Sequence, residues 1–296
     1  YPINNPPTFL LDIKSRGKDL NIPLSSSQAT AFSEKVRDKQ GKLGILGGRG
    51  MLGSDLAYFL KDYYEISVID VDNYEKEKGS SYDIFINADG NSKRFWANAN
   101  PLEDFKTSTI SVYNSLFDFS FNKYVYVSSV DVYPDYSDPQ KTYEDIAIDS
   151  SKLSSYGLHK YLSEQIVKKY STDYIIMRSA LILGQILKKG PFYDILCNKP
   201  LFITLDSKIQ VIPTYEFANI LRECLERGVS KEIFNIGGKG YYDFQNAERD
   251  FGRHPQIFPE AQKQHYEVSV SKINSIYQLK SSEEYVKAYI EQKNSK

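Results

Sequence analysis

Residues 41–56 read GKLGILGGRGMLGSDL, in which Gly47, Gly50 and Gly53 follow a short apolar run at a spacing of three. Between a strand and a helix, such glycines allow a tight turn, close approach of the backbone to a pyrophosphate and close packing of the helix on the strand. The phosphates would lie at the N-terminus of the helix, where free N–H groups and the dipole favour negative charge. The motif alone is also compatible with a purely structural glycine-rich turn.

The next apolar segment, EISVIDVD at 65–72, predicts a second strand that ends near Asp70, 17 residues after Gly53. A carboxylate at this point can accept hydrogen bonds from the ribose diol of adenosine, so the combination favours a dinucleotide cofactor. Asp70 would repel a 2′-phosphate and favours NAD, whereas Arg49 could pair with that phosphate and favours NADP, or be an ordinary solvated loop residue. We predict NAD, with NADP as the alternative.

From residue 42 onward, short apolar strands alternate with amphipathic helices. The predicted strands are 42–47, 65–72, 82–88, 123–129, 173–179 and 232–238, and the predicted helices are 53–63, 101–120, 154–170, 214–227 and 281–292. Buried strands that alternate with helices indicate a parallel sheet covered on both faces. We therefore predict an α/β protein with a Rossmann-type doubly wound sheet.

Residues 1–40 lack this alternation. They contain NNPP and PLSSSQ and show one modest helical pattern, from about Ser27 to Lys39, with Ser27 as its cap. We interpret 1–40 as an N-terminal extension or the tail of an upstream domain. The alternative is a segment that packs on the main domain.

Composition points to a small-molecule partner. The chain has 296 residues, with 37 Lys and Arg against 38 Asp and Glu, so no basic field argues for nucleic acid or a membrane surface. Cys197 and Cys224 stand alone and the three histidines are scattered, which predicts reduced thiols and no metal site. No apolar run approaches the length of a membrane span, and we predict a cytoplasmic protein.

The segment SSYGLHKYLSEQIV places Tyr156 and Lys160 one helical turn apart on the same face. A lysine ammonium beside a phenol favours the phenolate, which suits acid–base chemistry. The pair alone is weak evidence in a chain with 24 tyrosines. Ser128 and Ser129 strengthen it, because they end the strand YVYVSS at the sheet edge where ligands bind in doubly wound folds.

Several motifs then occur in the order typical of one family: the glycines with Asp70, INADG, VSSVDVYP, YGLHK, IIMRSALILG and EIFNIGG. Over about residues 41–290 the chain resembles the extended short-chain dehydrogenase/reductases, the NAD-dependent nucleotide-sugar epimerase/dehydratase superfamily. The resemblance implies a dinucleotide-binding domain at 41–185 and a mixed α/β segment at 186–296 that completes the sheet and forms a small C-terminal substrate-binding lobe. It also makes a homodimer plausible.

The resemblance assigns roles to individual residues. Tyr156 would be the catalytic acid–base, and Lys160 would hold the nicotinamide ribose and lower the pKa of the tyrosine. Ser129 matches the serine that hydrogen-bonds the reacting sugar oxygen, whereas Ser128 is interpreted as structural. The cofactor would contact the following residues: Gly47, Arg49, Gly50, Met51, Leu52, Gly53, Asp70, Asn87, Ala88, Tyr156 and Lys160.

The sequence departs from the family pattern at several points. Only about a dozen residues separate Asp70 from the strand YDIFINA, so one strand–helix unit on the adenine side is missing, and the next helix reads FKTSTIS where an Asn is common. Nucleotide-sugar 4,6-dehydratases carry Thr-Asp-Glu at the equivalent of Ser129-Val130-Asp131. Here Val130 replaces the proton donor, which leaves Asp131 as either a base or a surface carboxylate.

These observations predict an oxidoreductase or epimerase that transfers a hydride at a secondary carbon of a nucleotide-activated sugar, as a 4-epimerase or a 4-keto reductase. The candidate catalytic residues are Ser129, Tyr156, Lys160 and Asp131. Two alternatives remain open at this point: a catalytically idle dinucleotide-binding module within a larger polypeptide, and a reductase of a non-sugar carbonyl.

Overall fold

The computed structural model describes residues 9–15, 18–24 and 39–294. The strands are, in chain order, β1 (Phe9–Ser15), β2 (Lys18–Leu24), β3 (Lys42–Leu46), β4 (Glu65–Ile69), β5 (Ser81–Asn87), β6 (Ser120–Ser129), β7 (Tyr174–Ser179), β8 (Leu181–Leu183), β9 (Leu201–Ile203), β10 (Lys208–Ile209), β11 (Val211–Pro213), β12 (Glu232–Ile236), β13 (Tyr242–Asp243), β14 (Ile257–Gln262) and β15 (His265–Tyr266). The α-helices are α1 (Met51–Leu60), α2 (Tyr74–Glu77), α3 (Arg94–Ala99), α4 (Pro101–Asp104), α5 (Ser111–Asp118), α6 (Ser155–Tyr170), α7 (Pro191–Leu196), α8 (Thr214–Glu226), α9 (Ala247–Phe251), α10 (Ser271–Asn274) and α11 (Ser282–Asn294), and a π-helix spans Phe105–Ile110.

Six parallel strands form the central sheet, in the order β12-β7-β6-β5-β3-β4. The order reverses between β3 and β5, where Leu46 pairs with Asn87. In open α/β sheets, ligands bind beyond the carboxyl ends of the strands at such a switch point. The predicted doubly wound fold is confirmed, and its switch point lies beside the glycine-rich turn.

Helices cover the sheet on both faces because the strand residues alternate between two apolar clusters. In β5, Ile84 and Ile86 pack in one cluster with residues of α1 and α8, while Phe85 packs in the other with residues of α5 and α6. The three consecutive residues Ile84, Phe85 and Ile86 are all buried. This two-sided burial explains the nearly continuous apolar strands of the sequence.

The adenine side of the sheet is short. A single helical turn, α2, connects β4 to β5, and β4 is an edge strand of the central sheet. Val68 on this strand and Val71 after it are 37% and 84% exposed. The strand–helix unit that the spacing after Asp70 predicted to be absent is therefore missing from the described sheet.

The C-terminal part combines helices α7 to α11 with small β-structures. Strand β8 pairs with β11, β10 pairs with β13 and β15, and β9 pairs with β14. Gln210, between β10 and β11, donates to the carbonyls of Gly238 and Val268 and accepts from the N–H of Val268. These bonds tie the strands to the end of β12, which completes the central sheet.

The N-terminal segment contains structure that the sequence pattern did not indicate. Strands β1 and β2 pair antiparallel from Phe9 opposite Leu24 to Ser15 opposite Lys18. The helix predicted for Ser27 to Lys39 lies, apart from Lys39, outside the described residues. The interpretation of 1–40 as an extension stays a prediction.

Candidate active site

The glycine-rich turn follows β3 directly. Gly47 has a φ of +74°, in the region that L-residues with side chains avoid. A Cβ on Gly53 would lie 2.2 Å from the carbonyl oxygen of Gly47, and a Cβ on Gly47 would lie 2.8 Å from the backbone of Asp89. The turn is packed so tightly that these two positions require glycine.

Helix α1 begins at Met51 with Gly50 as its N-cap, and Gly50 is exposed. Among the described residues no side chain caps this end, and its first turn carries no acidic residue. The N–H groups of an uncapped, ten-residue helix can bind a pyrophosphate. Leu52 is buried and Met51 is half-buried against Gly184, so these two residues would contact a cofactor mainly through their backbone.

At the end of β4, the carboxylate of Asp70 accepts hydrogen bonds from the N–H of Arg49 at 3.1 Å and of Val71 at 2.9 Å. The Arg49 guanidinium pairs with Asp72, and both side chains are more than half exposed. Asp70 thus lies against the glycine-rich turn, as the dinucleotide hypothesis requires. Arg49 lies beside it in an exposed ion pair, which contributes little stability and is easily opened.

The segment after β5 holds the predicted residues Asn87 and Ala88. Asn87 is fully buried, and its amide donates to Ser115 at 3.2 Å and to the Tyr124 hydroxyl at 2.9 Å. Its carbonyl oxygen accepts from the N–H of Asp89 at 3.0 Å. The Asn87 side chain therefore shapes this turn from the core side, and Ala88 and the backbone are left to meet a cofactor.

Helix α6 carries the Tyr–Lys pair. It starts after Ser154, whose side chain accepts from the N–H of Gly157, as expected for an N-cap. Tyr156 and Lys160 are both buried. The Lys160 ammonium donates to the carbonyl of Val127 at 3.1 Å, and burial lowers its pKa to about 8.

The pKa of the Tyr156 phenol shifts in the direction opposite to the one predicted from the sequence. Burial, followed by the nearby carboxylate of Asp131, raises the pKa of Tyr156 well above its ordinary value, and a hydrogen bond with Ser129 only partly offsets this. In the protein alone, Tyr156 is a protonated phenol. The spacing to Lys160 is as predicted, but desolvation outweighs the lowering that this spacing suggested.

Ser128 and Ser129 are the last two residues of β6, and their side chains form hydrogen bonds with different partners. Ser128 donates to the buried carboxylate of Glu164 at 2.6 Å, which fits the structural role predicted for it. Ser129 donates to Oδ2 of Asp131 at 2.9 Å and accepts from the N–H of the same residue at 3.2 Å. The side chain of Asp131 is only 12% exposed, so the surface-carboxylate alternative is wrong. Burial raises the pKa of Asp131.

Sequence reasoning missed the cluster around Asp131. Arg94, the first residue of α3, donates to Asp131 Oδ1 at 3.1 Å and to the Tyr136 hydroxyl at 2.9 Å, contacts the Tyr266 hydroxyl, and donates to Gln264 at 3.2 Å. The rings of Tyr136 and Tyr266 stack at 4.2 Å. No periodic pattern marks these residues, because they come from three separate segments, around residues 94, 131–136 and 264–266. The one indication in the sequence is that Arg94 follows INADG closely, and the end of that segment lies at the edge of the sheet where ligands bind.

A second missed group lies behind the Tyr–Lys pair. His159 Nδ1 is 2.6 Å from Oδ2 of Asp104, and both side chains are almost fully buried. Asn91 donates to the other carboxylate oxygen at 2.9 Å. Thr109, on the π-helix that interrupts the predicted helix 101–120, donates to the His159 carbonyl at 3.2 Å. These contacts hold the turn after β5 against the catalytic helix.

Comparisons with known proteins identify the family and the fold. The chain belongs to the NAD-dependent epimerase/dehydratase family, whose model matches residues 43–192, about half of the chain. It is thus an NAD(P)-dependent enzyme domain of the extended short-chain dehydrogenase/reductase type, as the motifs predicted. No curated protein matches the chain significantly in sequence.

Solved structures share the fold at low identity. A UDP-galactose 4-epimerase is 18% identical with a TM-score of 0.70, over 86% of this chain and 99% of that one. UDP-glucuronic acid 4-epimerase from Bacillus cereus, in complex with UDP-glucuronic acid and NAD, is 17% identical with a TM-score of 0.67, over 85% and 99%. dTDP-4-dehydrorhamnose reductase from Bacillus anthracis, in complex with NADP, is 16% identical with a TM-score of 0.71, over 86% and 99%. Within the described residues, no helix has the length and apolar character needed to span a membrane.

Proposed function

We propose that the chain transfers a hydride at a secondary carbon of a nucleotide-activated sugar, as a 4-epimerase or a 4-keto reductase. The observation that carries this proposal is the group formed by Ser129, Tyr156 and Lys160. All three side chains are buried: Ser129 ends β6, and the Lys160 ammonium on α6 donates to the carbonyl of Val127 near the end of the same strand. Hydride transfer to a carbonyl needs a hydrogen-bond donor and a proton donor at the carbonyl oxygen, and these residue types provide both.

The nucleotide cofactor would lie across the switch point, where the tight turn and the uncapped end of α1 fit a pyrophosphate. Gly50, Gly53 and the backbone of Met51 and Leu52 would hold the phosphates, and Asp70 the adenosine ribose. When bound, the nicotinamide ring supplies or accepts the hydride, and its oxidised form adds positive charge. NAD is the preferred cofactor because Asp70 faces the turn, with NADP as the alternative through Arg49.

Tyr156 would exchange a proton with the substrate oxygen, while Ser129 holds that oxygen in place. Lys160 would bind the nicotinamide ribose, and its ammonium would favour the phenolate form of Tyr156. Burial keeps Tyr156 protonated in the protein alone, which suits a proton donor to a carbonyl. Asp131 would act on the same group through Ser129, as the hydrogen bond between them indicates.

The proposed substrate class is a sugar nucleotide. Support comes from solved structures of the same fold: a UDP-galactose 4-epimerase, a UDP-glucuronic acid 4-epimerase and a dTDP-4-dehydrorhamnose reductase. In this chain, Gln264 and Tyr266 of the C-terminal part reach the catalytic side through Arg94. The C-terminal strands are therefore placed to contact a substrate that reacts at Tyr156.

The test is a panel of UDP-, dTDP-, GDP- and CDP-hexoses and their 4-keto forms, followed by nicotinamide absorbance and by NMR for silent epimerisation. Tyr156→Phe should lower turnover by about 10²–10⁴, the usual contribution of general acid–base catalysis, with little change in cofactor affinity. Tyr58→Phe, at an exposed tyrosine of α1, is the matched control and should leave turnover unchanged. A Tyr156→Phe variant as active as the wild type would overturn the assignment.

The idle-module alternative has one observation in its favour, the exposed edge at β4 where an adenine would bind. It predicts nicotinamide cofactor binding without turnover of any panel member. A non-sugar carbonyl reductase predicts oxidation of the reduced cofactor by simple ketones instead. The panel with added ketones separates all three.

We also propose that the chain forms a homodimer through α5 and α6. Tyr113, Phe117 and Tyr170 lie on these helices with 39%, 59% and 47% of their surface exposed, and their rings contact one another. Exposed aromatic residues gathered in one place are typical of protein–protein interfaces.

A further inference from the structure

We propose that Tyr126 is a positioning residue for Lys160: the face of its ring holds the Lys160 ammonium beside β6 by a cation–π contact and favours the charged form of the lysine. The importance of this contact for the reaction rests on the proposed function, in which Lys160 binds the nicotinamide ribose. The contact itself is a property of the protein alone. Tyr126 lies outside the set of residues that the sequence motifs identified.

Tyr126 is fully buried in the middle of the central sheet. Its backbone pairs with Asn87 of β5 on one side and with Ile176 of β7 on the other, and its ring lies in the apolar cluster that faces α5 and α6. The ammonium of Lys160, on α6, lies over this ring at 5.1 Å from the ring centroid. A cation within about 6 Å of the centroid is attracted by the negative face of an aromatic ring. The sheet therefore fixes the ring, and the ring attracts the ammonium.

Apart from this ring, the buried ammonium has one partner. Among the residues that the structure describes, only the carbonyl of Val127 accepts a hydrogen bond from it, at 3.1 Å. An ammonium has three N–H donors, and a buried charge with few partners is costly. The ring of Tyr126 is therefore the second group that stabilises the charge of Lys160 in the protein alone. The remaining N–H donors stay available for the hydroxyl groups of a ribose.

Three carboxylates raise the pKa of Lys160, but within the described part of the chain none of them forms an ion pair with it. Each has another partner: Asp89 accepts from Ser111 at 2.8 Å, Asp104 lies 2.6 Å from His159, and Glu164 pairs with Arg178 at 2.8 Å. Burial outweighs the three carboxylates and lowers the pKa of Lys160 to about 8. Loss of the ring contact would therefore move the titration of Lys160 into the range near pH 7.

A purely structural role for Tyr126, as a core residue under α6, makes a different prediction. Removal of the ring would then lower stability and leave the titration of Lys160 unchanged, or raise its pKa where water fills the space. The pKa of Lys160 in the full chain without cofactor separates the two roles. NMR of lysine labelled with ¹³C at Cε measures it, with Lys160→Met to assign the signal. Tyr126→Leu should lower this pKa by about one unit, the size of a desolvated cation–π contact.

Two further variants guard against a general effect on the fold. Tyr126→Phe retains the ring and removes only a hydroxyl that has no hydrogen-bond partner among the described residues, so it should keep the wild-type pKa of Lys160. Phe85→Leu removes a buried ring from the same cluster, where Phe85 contacts other aromatic rings, and should lower stability without changing this pKa. An unchanged or raised pKa of Lys160 in Tyr126→Leu, or an equal shift in Phe85→Leu, would overturn the proposal.

Cofactor binding measures what the contact contributes at the ribose. At pH 6 Lys160 is protonated in the wild type and in Tyr126→Leu, so both should bind NADH alike. At pH 8 the protonated fraction should be about fivefold lower in the variant, and NADH affinity should fall with it. Equal affinities at pH 8 in the presence of the NMR shift would refute the role of Lys160 at the ribose, whereas its contact with Tyr126 would stand on the NMR result.

Turnover provides the last measurement, with a substrate that the panel identifies. The alkaline limb of kcat/KM that reports loss of the Lys160 ammonium should move to lower pH in Tyr126→Leu, by the amount that NMR measures. If no panel member turns over while the NMR shift is present, the proposed function fails but Tyr126 still controls the charge of Lys160. If Tyr156→Phe abolishes turnover while the pKa is unchanged in Tyr126→Leu, the proposed function stands and Tyr126 is a core residue only.

Discussion

Arg178 and Glu164 form a buried ion pair under the catalytic edge of the sheet, with Nη2 2.8 Å from Oε2 and side-chain exposures of 3% and 0%. Arg178 is the penultimate residue of β7, and Glu164 lies on α6 one turn after Lys160. The same guanidinium donates to the Tyr133 hydroxyl at 2.8 Å, and the same carboxylate accepts from Ser128. The pair therefore joins the helix that carries Tyr156 to the strand end that carries Ser129.

Glu164→Gln should be strongly destabilising, because it leaves the Arg178 guanidinium buried without its counter-charge. Removal of one partner from a buried pair typically costs about 3–5 kcal/mol in the free energy of unfolding. Urea denaturation measures this. The control is Glu223→Gln, which breaks an exposed pair with Arg227 on the surface of α8 and should cost less than about 1 kcal/mol. Equal losses for the two variants would contradict the central role of the buried pair.

Cofactor preference should depend on the carboxylates at the end of β4. Asp70→Ala should weaken NADH binding more than NADPH binding, since Asp70 would hold the ribose diol. Asp72→Ala releases the Arg49 guanidinium from its ion pair and should strengthen NADPH binding relative to NADH. Calorimetric titration of both cofactors against each variant gives the two ratios. The reverse ranking for Asp70→Ala would mean that the pocket is built for the 2′-phosphate.

Phe117→Glu should convert a homodimer into a monomer, because it places a charge in the centre of the aromatic group on α5 and α6. Phe202→Glu is a matched control: Phe202 is 62% exposed, compared with 59% for Phe117, and lies on β9 away from that face. Sedimentation of the wild type and both variants measures the change. A wild type that is monomeric at high concentration, or a dimer that survives Phe117→Glu, would refute this interface.

The sequence predicted the parts of the site that are local. The glycines, the Tyr156–Lys160 spacing and Ser129 are each recognised within a few residues of one strand or helix, and the alternation of strands and helices indicated a parallel sheet covered on both faces. The missing strand–helix unit was visible as a short spacing between Asp70 and β5. Local patterns carry this information because turn geometry and helical periodicity are local properties.

The rest of the site depends on contacts between distant segments. The sequence leaves Asp131 as a possible surface carboxylate, because no residue near it in the sequence indicates that Arg94 and Tyr266 cover it. The pKa of Tyr156 was expected to fall because the spacing shows Lys160 but not the burial of the phenol. Desolvation is a property of the assembled fold, and it decided both cases.

Lys160→Met should raise stability while it abolishes function. Burial lowers the pKa of Lys160 from its ordinary 10.5 to about 8, so at pH 7 the folded protein holds a buried ammonium at a cost in stability. Between about pH 8 and pH 10.5 the unfolded chain keeps this proton and the folded protein releases it, so wild-type stability recovers as pH rises. Lys160→Met should thus be more stable than wild type by about 1–3 kcal/mol at pH 7, after the loss of the hydrogen bond to Val127.

Urea denaturation at several pH values measures this difference in the free energy of unfolding, which should shrink towards pH 10. Lys168→Met, at an exposed lysine of the same helix, is the control and should show no such trend. A Lys160→Met variant that is less stable than wild type at pH 7 would mean that the ammonium is stabilised by its surroundings rather than strained by burial.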